Sequence, residues 1–356
     1  MIVTRSPLCI IPPYVLEHLA GHATDEDTRT AAHRALISST AVRAHRSAVA
    51  SLTGSLGAPT DGRRTIFDAH HRTTLTKATI VRTEEGRPSG DPSVQNAFDG
   101  LGATRDFYRD VLGRNSLDDR GMRLDGYVHR GHKYDNAFWD GQEMVFGDGD
   151  GTLFTDFTGS LDVIAHELTH GVTQFTANLA YENESGALNE SVSDVFGSVV
   201  KQWHLKQTAD QADWLIGAEI FTPAIAGDAL RSLKAPGTAY DDPQLGKDPQ
   251  PATMSDYVHL PNTAEDDNGG VHTNSGIPNH AFFLVATKIG GNSWEAPAKI
   301  WYRALLASTA TTGFQAFADN THDAAGWLYG AGGAEQQAVA AAWSGVGITV
   351  TAVTAG

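Results

Sequence analysis

Residues 162–170 read Asp-Val-Ile-Ala-His-Glu-Leu-Thr-His, and the last five form the pattern His-Glu-x-x-His. In an α-helix, side chains four residues apart lie on one face, so the imidazoles of His166 and His170 can reach one ion while Glu167 lies beside it. Neutral imidazole suits Zn²⁺, which in a catalytic site takes a third protein ligand and keeps one open position. The stretch therefore predicts a zinc-binding helix. The alternative is a pair of surface histidines on an amphipathic helix.

A second helix carries the candidate third ligand. Apolar spacing predicts a helix over 187–203, and Glu190 lies on it twenty residues after His170. An antiparallel helix would bring Glu190 back to the two histidines. Asp194 lies one turn further on the same face, where it could accept the N–H of a ligating imidazole. Either acid alone could be a solvated helix charge, and it is their occurrence together with the histidine pattern that favours a metal site.

The composition limits the class of protein. At 356 residues the chain exceeds the usual size of one hydrophobic core, so we expect two lobes and an appendage. The formal net charge of −16 argues against nucleic acid as a partner, because phosphate binding needs clustered Lys and Arg. Cys9 is the only cysteine, so no intrachain disulfide can form, which suits synthesis in a reducing compartment. A zinc-bound Cys9 thiolate is a weaker interpretation than a small apolar residue.

The N-terminal sequence lacks the features of a secretory signal peptide. The apolar stretch from Leu8 to Leu16 is interrupted by Pro12 and Pro13, and no Ala-x-Ala cleavage site follows it. No run approaches eighteen apolar residues, so no membrane span and no membrane partner are predicted. We expect synthesis in the cytoplasm, with cytoplasmic residence and leaderless export both left open.

Four parts of the chain differ in composition and pattern. Residues 1–50 are slightly basic, and their apolar spacing predicts short helices broken near Gly21. Residues 51–64 (SLTGSLGAPTDGRR) are typical of a linker. Residues 65–180 contain short β-prone runs, a helix predicted over 93–112 and the zinc helix, with Thr158 or Ser160 as its expected N-cap. Residues 181–356 are mainly helical. The predicted strands are 65–67, 78–81, 127–130 and 143–146, and the later predicted helices are 276–289, 296–308, 314–328 and 334–343.

Beyond the zinc pattern, four sequence blocks together resemble the thermolysin family of metalloendopeptidases, and more narrowly its protealysin-like branch. The blocks are 135–141 (DNAFWDG), 162–170 (DVIAHELTH), 181–194 (YENESGALNESVSD) and 267–279 (DNGGVHTNSGIPN). The resemblance covers essentially the whole chain. It implies an α+β fold of two lobes: a mixed, β-rich N-terminal lobe over 65–180, a mainly α-helical C-terminal lobe over 181–356, and an active-site cleft between them.

This resemblance implies a role for each matching residue in a zinc endopeptidase. His166, His170 and Glu190 would be the zinc ligands, and Glu167 the general base that assists attack by a zinc-bound water. The remaining roles fall to residues of the other blocks and of the segment 227–232. Tyr181 and His272 would bind the oxyanion, Asp267 would orient His272, Asp194 would support His166, and Asn136, Ala137 and Arg231 would hold the substrate backbone.

Substrate preference and rival activities remain open at this point. The positions that match an apolar pocket after the scissile bond predict cleavage before Leu, Phe or Ile; they are Phe154, Phe157, Val163, Ile216, Ile220 and Leu230. The same residues would suit any buried core. The rival functions are a catalytically silent peptide-binding module and an aminopeptidase. Intact Glu167, Tyr181 and His272 disfavour the first, and a site that is open on both sides of Asn136 and Ala137 disfavours the second.

The double calcium site of the family is the main departure from the pattern. Acids are kept at Asp162, Asp213 and Glu219, whereas Lys201, Leu215 and Ala218 stand where further acids would be expected. Lysine cannot ligate calcium, but its ammonium group can replace cation charge beside a carboxylate. We therefore expect no double calcium site. A single Ca²⁺ near Thr222 and Asp228 is left as a possibility.

The first fifty residues resemble the short inhibitory prosegment of the protealysin-like branch. Pro12-Pro13-Tyr14 matches its Pro-Pro-Tyr type motif, and proline, which has a fixed φ and no N–H, would make a stiff and poorly cleavable wedge with Tyr14 and Leu16 as apolar anchors. We expect a zymogen that is cut between about residues 45 and 62 and is otherwise a monomer acting on peptide or protein substrates. The alternative is an ordinary N-terminal helix packed on the domain.

Overall fold

The computed structural model describes residues 8–49 and 61–351. Most of the predicted linker, residues 51–60, lies outside the described residues, as does part of the expected maturation window.

A mixed sheet forms the first half of the catalytic part. Its strands lie in the order β1-β5-β6-β4-β2-β3, with β2, β4 and β6 parallel to one another and the remaining neighbours antiparallel. Each of the four predicted β-prone runs overlaps a strand, although the observed bounds differ by up to a few residues. The strands are β1 Leu8–Cys9, β2 Arg64–Asp68, β3 Thr79–Thr83, β4 Leu124–Val128, β5 Ala137–Trp139 and β6 Met144–Phe146.

N-terminal helices α1 (Pro13–His22) and α2 (Glu26–Val49) are separated by the break predicted near Gly21. It falls after His22, because Ala23 has extended backbone angles and ends α1. The second helix differs from the prediction, since it is 24 residues long and the helices were expected to be short. The fixed φ of proline suits the first helical position that Pro13 occupies.

Helix α3 (Pro92–Leu112) lies against the sheet and agrees with the helix predicted over 93–112. Asp91 caps it, since one carboxylate oxygen accepts the backbone N–H groups of Ser93 and Val94. Gly113 ends it with φ 69°, a left-handed conformation that glycine adopts without steric cost. Val94, Phe98, Leu101 and Phe107 form its buried stripe.

Helices dominate the second half. The predicted helices are present, with ends that differ by at most a few residues. They are α4 Leu161–Gln174, α5 Asn183–Leu205, α7 Gly276–Ile289, α8 Ala296–Ala307, α9 Phe314–Tyr329 and α10 Ala334–Gly345, and the structure adds the unpredicted short helix α6 Asp267–Asn274. Two short antiparallel ribbons lie between α5 and α6: β7 Leu215–Ile216 with β8 Arg231–Ser232, and β9 Asp241–Asp242 with β10 Gly246–Lys247. The domain boundary that we propose at residues 180 and 181 lies in the connection between α4 and α5.

The two central helices, α4 and α5, run antiparallel in close contact. Glu190 faces His166, and eleven residues later Lys201 faces Asp162, so the sequence numbers rise on one helix as they fall on the other. The approach requires a glycine: a Cβ on Gly197 would lie 2.7 Å from the backbone oxygen of Asp162. This packing brings distant polar residues of two helices into one interior.

Ser160 is the N-cap of α4 by position, but its side chain does not cap the helix. Its hydroxyl donates to carboxylates instead, including Oε2 of Glu219 at 2.8 Å. The backbone N–H of Thr158 donates a hydrogen bond to the Asp156 carboxylate within a separate 3₁₀ turn. The expectation that a hydroxyl of Thr158 or Ser160 caps this helix is therefore wrong, because neighbouring carboxylates compete for the hydroxyl.

A half-buried histidine links the start of α3 to the sheet. His129, just after β4, donates from Nδ1 to Asp148 at 2.8 Å and from Nε2 to Asp91 at 3.0 Å. Its hydrogen bond to Asp148, followed by the bond to Asp91, raises the pKa of His129 to about 9. The doubly protonated ring thus joins the cap of α3 to the turn that follows β6.

We expect the stability of the full chain to fall as the pH rises from about 6.5 to about 9. The folded-state pKa of His129 lies above its usual value of 6.5, so its contribution is complete below pH 6.5 and is lost as the pH rises through 9. After discounting for solvent screening, this contribution is about 1 kcal/mol. The check is urea unfolding at several pH values of Glu167→Gln protein, which is expected to be inactive.

The His129→Gln substitution should flatten this pH dependence in the same background. The control is His33→Gln, because His33 is exposed on α2. An unchanged slope between pH 6.5 and 9 in the His129→Gln protein would contradict the assignment.

Candidate active site

The three residues of the histidine pattern lie on α4 within the protein interior. His166, Glu167 and His170 are each fully buried, as is Glu190 on α5. The Nε2 atoms of the two histidines are 3.0 Å apart, and carboxylate oxygens of Glu190 lie 3.4 Å from His166 Nε2 and 3.5 Å from His170 Nε2. The antiparallel packing of α4 and α5 therefore brings together the three predicted ligands.

Hydrogen bonds to the Nδ1 atoms of His166 and His170 orient the two imidazole rings, so that their Nε2 lone pairs face the shared point. His166 Nδ1 lies 2.8 Å from Asp194 Oδ1, so Nδ1 carries the proton and Nε2 the lone pair. His170 Nδ1 lies 2.9 Å from Asn189 Oδ1, and the Asn189 amide is oriented by its own bond to the Leu179 carbonyl. Both Nε2 lone pairs thus point at the same place as the Glu190 carboxylate.

A cation fits this arrangement. Two lone-pair nitrogens at 3.0 Å repel each other, and Oε2 of Glu190 is buried without a hydrogen-bond donor among the described residues. Zinc bound at the usual ligand distances has ligand atoms about 3.4 Å apart in a tetrahedron, close to the separations found here. In residues 8–49 and 61–351, His166, His170 and Glu190 are the one group of three such side chains close enough to share a metal ion.

Glu167 projects from α4 beside the three ligands. Its Oε2 accepts the backbone N–H of Trp139 at 2.9 Å, which fixes the carboxylate against strand β5. The side chain is fully buried. The strand that lines the cleft therefore also positions the predicted general base.

Tyr181, His272 and Asp267 meet on the other side of the ligands. The Tyr181 hydroxyl donates to Glu190 and lies 3.2 Å from Nε2 of His272. One oxygen of Asp267 accepts the Nδ1 proton of His272 at 2.6 Å, and the other accepts its backbone N–H at 2.8 Å. Burial lowers the pKa of His272, but the Asp267 and Glu190 carboxylates together outweigh it, and the net shift of the pKa is upward.

A left-handed turn at the start of α6 makes this geometry possible. Asp267 and Asn268 have φ values of 54° and 52°, and two glycines with positive φ follow them. Gly269 could not be replaced without movement, since its Cβ would lie 2.4 Å from Asn183 Oδ1. The turn folds the Asp267 carboxylate back onto His272 five residues later.

Asp194 connects a zinc-ligand candidate to a buried arginine. Beyond His166, it accepts hydrogen bonds from Nε and Nη2 of Arg231, both at 2.8 Å, and from the Asn279 amide at 2.9 Å. Burial raises the pKa of Asp194, but the Arg231 guanidinium and the hydrogen-bonded His166 ring together outweigh this and lower it to about 2. The ionised carboxylate keeps the proton of His166 on Nδ1.

Three polar contacts of the site were missed by the sequence analysis. The side chains of Asn189 and Ser193 form hydrogen bonds with Nδ1 of His170. The side-chain amide of Asn279 donates a hydrogen bond to Asp194. The helical spacing of Asn189, next to Glu190, and of Ser193, one turn on, was the available signal. The signal for Asn279 was its place at the end of the block 267–279, but its contact with Asp194 could not be foreseen, because it approaches from α7, more than eighty residues away along the chain.

The N-terminal strand fills the cleft next to these groups. Strand β1 pairs antiparallel with β5, placing Leu8 opposite Trp139 and Cys9 opposite Phe138. The next backbone groups continue along the edge, since the Ile10 N–H donates to the Ala137 carbonyl at 3.2 Å. The Ile11 N–H donates to Asn136 Oδ1 at 3.1 Å, and Arg231 Nη1 donates to the Ile10 carbonyl at 3.1 Å. All three predicted substrate-binding residues thus contact the chain's own N-terminal segment.

Lys201 lies where the sequence departs from the calcium pattern. Its ammonium group is 2.9 Å from Asp162, 3.1 Å from Asp213 and 3.2 Å from Glu219. Burial alone would lower the pKa of Lys201, but these carboxylates raise it well above its usual value. A side-chain cation thus occupies the middle of the three acids.

The proposed single calcium position and the apolar pocket remain predictions. The Thr222 hydroxyl donates to the Thr152 carbonyl at 2.6 Å, and Asp228 is exposed. The six positions expected to line the pocket after the scissile bond are buried, with Leu230 the most accessible at 3%.

Comparison with known families agrees with this geometry. The model for the thermolysin metallopeptidase catalytic domain matches residues 55–174, and that for its alpha-helical domain matches residues 177–348. An extracellular metalloprotease of Pectobacterium carotovorum subsp. carotovorum is 50% identical over 320 residues, which are 88% of this chain and 90% of that protein.

More distant relatives are longer. A thermolysin of Bacillus sp. (strain EA1) is 39% identical over 291 residues, which cover 79% of this chain but 50% of the thermolysin. Among solved structures, the precursor of protealysin, a metalloproteinase from Serratia proteamaculans, matches with a TM-score of 0.86 and 46% identity. That match covers 96% of this chain and 100% of the solved chain.

Replacing Asp194 with asparagine should weaken zinc binding about 10- to 100-fold. The substitution keeps the shape of the side chain but removes the charge that orients the His166 ring and balances Arg231. The measurement is zinc affinity by chelator competition in Glu167→Gln protein.

The matched control is Asp99→Asn, because Asp99 is an exposed residue of α3. Circular dichroism would verify that both variants are folded. A zinc affinity of folded Asp194→Asn protein equal to that of the control would refute this role of Asp194.

Proposed function

Since this chain belongs to the thermolysin family of metallopeptidases, we propose that it is the latent precursor of a zinc endopeptidase that cleaves before bulky apolar residues. Hydrolysis of peptide bonds follows from the family itself. The individual residue roles, the substrate preference and the latency are the parts proposed here.

The observation that carries the proposal is the convergence of three acceptor atoms on one point. His166 Nε2, His170 Nε2 and the Glu190 carboxylate are mutually within 4.8 Å and fully buried. A cation at that point would relieve the repulsion among them. Two neutral imidazoles and one carboxylate make a ligand set typical of catalytic zinc, which leaves a fourth position for water or substrate.

Each neighbouring residue has a chemical task that follows from its position. Bound zinc is a Lewis acid that polarises the substrate carbonyl and makes water a better nucleophile at neutral pH. Glu167, held by the Trp139 N–H, accepts the proton of the attacking water and returns it to the departing amine. His272 and Tyr181 donate hydrogen bonds to the oxygen that becomes negative, and one such donor typically lowers a barrier by about 2.7 to 4 kcal/mol.

The shape of the cleft favours an endopeptidase. Strand β5 presents an edge on which an extended chain can add by β-augmentation. The N-terminal segment uses this edge with residues on both sides of His272, from Leu8 to Ile11. An aminopeptidase would instead need an acidic anchor for a substrate amine at this place.

The preference for an apolar residue after the scissile bond has support from the same segment. The carbonyl of Cys9 lies 3.2 Å from His272, so Ile10 takes the position that follows the reacting carbonyl. Ile10 is fully buried, as are the Phe154, Val163 and Ile216 side chains expected to line the pocket.

Latency follows from the burial of the site. Every proposed catalytic or ligand residue is at most 7% exposed, whereas a substrate must reach these groups. The segment that covers them carries Ile10, Ile11, Val15 and Leu16 as buried side chains. It must leave, or be displaced, before a peptide can bind.

Glu167→Gln should reduce turnover of blocked internal peptides below detection while zinc binding is retained, because the amide cannot accept the proton of water. His272→Ala should keep a weak residual activity, since one oxyanion donor is lost. The measurement combines peptide hydrolysis by processed enzyme with zinc content.

The substrate preference is tested with peptides that differ only in the residue after the scissile bond. The rate of hydrolysis before Leu, Phe and Ile would be compared with the rate before Asp and Lys.

Glu295→Gln is the matched control, because Glu295 is an exposed residue far along the chain. A zinc-loaded processed protein that fails to hydrolyse any internal peptide would leave the silent binding module as the better account. Faster cleavage before Asp or Lys than before Leu would overturn the substrate preference.

The intact full-length chain should show little activity, which should appear together with cleavage between about residues 45 and 62. The reason is that the covering segment remains joined to the catalytic part until that cut. Intact mass and peptide hydrolysis would be followed over time in one sample. Full initial activity without cleavage in this window would rule out the zymogen.

A further inference from the structure

We propose that the N-terminal strand is itself a substrate of this site, and that the enzyme hydrolyses the bond between Cys9 and Ile10 to release residues 1–9. The residues Leu8 to Ile11 are called the docked strand below. The inference rests on the proposed function, since it uses the same catalytic residues. It adds a second self-cleavage, separate from the cut expected between residues 45 and 62.

The docked strand has the direction and backbone contacts of a bound peptide. It is antiparallel to β5 and extends that sheet by one strand. Its N–H groups at Ile10 and Ile11 donate to the Ala137 carbonyl and to Asn136 Oδ1. Such main-chain bonds to a sheet edge bind an extended peptide whatever its side chains are.

Two successive carbonyl groups fix which bond lies at the reacting position. The Cys9 carbonyl oxygen accepts a hydrogen bond from His272 Nε2 at 3.2 Å, and the same nitrogen is 3.6 Å from the Glu190 carboxylate. The Ile10 carbonyl accepts from Arg231 at 3.1 Å. The oxyanion donor therefore holds one carbonyl and the arginine holds the next. The bond between Cys9 and Ile10 lies where a scissile bond would lie.

The reaction at this bond is an ordinary hydrolysis. Water adds to the carbonyl carbon of Cys9, with its proton accepted by Glu167. The bond from that carbon to the Ile10 nitrogen then breaks, and the nitrogen takes up the proton. The products are a peptide ending in the Cys9 carboxylate and a chain beginning with the Ile10 amine. No reactant other than water is needed.

Pro12 and Pro13 do not protect this bond. The nitrogen that leaves belongs to Ile10, which carries an N–H, and Ile11 separates it from the first proline. The prolines instead begin helix α1, whose Leu16 and Leu19 are buried. The stiff, poorly cleavable wedge expected from the sequence thus lies beyond the reacting position.

The new N-terminus should stay in the cleft after the cut. The bonds from Arg231 to the Ile10 carbonyl and from Ile11 to Asn136 do not involve the broken bond. Further contacts hold the same segment, including the bond from Thr28 on α2 to Asp150 at 3.1 Å. Release of residues 1–9 should therefore leave activity low, and only the later cut should raise it.

The experiment starts from full-length protein stripped of metal with a chelator, to which zinc is added at time zero. Intact mass and the sequence of the new N-terminus are followed together with hydrolysis of a blocked peptide. We expect a chain that begins at Ile10, formed before activity rises. The rate should be first order and unchanged over a tenfold range of protein concentration, because the bond is already in the site. Glu167→Gln protein should release nothing, and Glu295→Gln protein should behave as the parent.

Several results would overturn the inference and leave the proposed function standing. One is a protein that matures between residues 45 and 62 and hydrolyses peptides but keeps residues 1–9 attached until then. Another is a first cut at a different bond of the docked strand, which would show another register. A rate proportional to protein concentration would show that one molecule cuts another. If neither the docked strand nor any peptide is cut by zinc-loaded protein, the proposed function itself fails.

Discussion

The structure depends on three hydrogen-bond acceptor groups, two imidazoles and one carboxylate, that are held close together in the buried interior. His166, His170 and Glu190 come from two antiparallel helices, and a cation between them would offset the repulsion among their acceptor atoms. The helices nevertheless approach closely enough to require glycine at position 197. Metal binding at this point would therefore be coupled to the packing of the two helices.

A second point of contact between the same helices uses a cation that belongs to the chain. Lys201 on α5 lies among Asp162, Asp213 and Glu219, about three turns from the zinc ligand candidate Glu190. Buried carboxylates are costly unless a counter-charge is near, and a lysine provides one independently of calcium supply. Helices α4 and α5 are therefore joined at two levels, one through the hydrogen bonds of the histidines to Asp194 and Asn189 and one through an ammonium group.

Strand β5 contacts both the proposed general base and the N-terminal strand that occupies the cleft. Its Trp139 N–H holds Glu167, while its edge holds the N-terminal strand through Ala137 and the preceding Asn136. Asp194 couples these parts further, because it bonds both His166 and the Arg231 that holds the Ile10 carbonyl. A segment that docks in this cleft therefore contacts the same network that positions the base and a ligand.

The sequence by itself determined the elements and the chemistry that is local to them. Helical periodicity places His166 and His170 on one face, and the spacing of Glu190 and Asp194 on the next helix follows the same rule. Sequence reasoning was wrong about the capping hydroxyl of α4 and about the length of α2, because competing carboxylates and tertiary packing decide such details. Only the tertiary structure decided the protonated nitrogen of each histidine, the partners of Lys201 and the register of Cys9 and Ile10 in the cleft. These depend on segments that are far apart in the chain, and their approach is set by the packing of the whole core rather than by any local pattern.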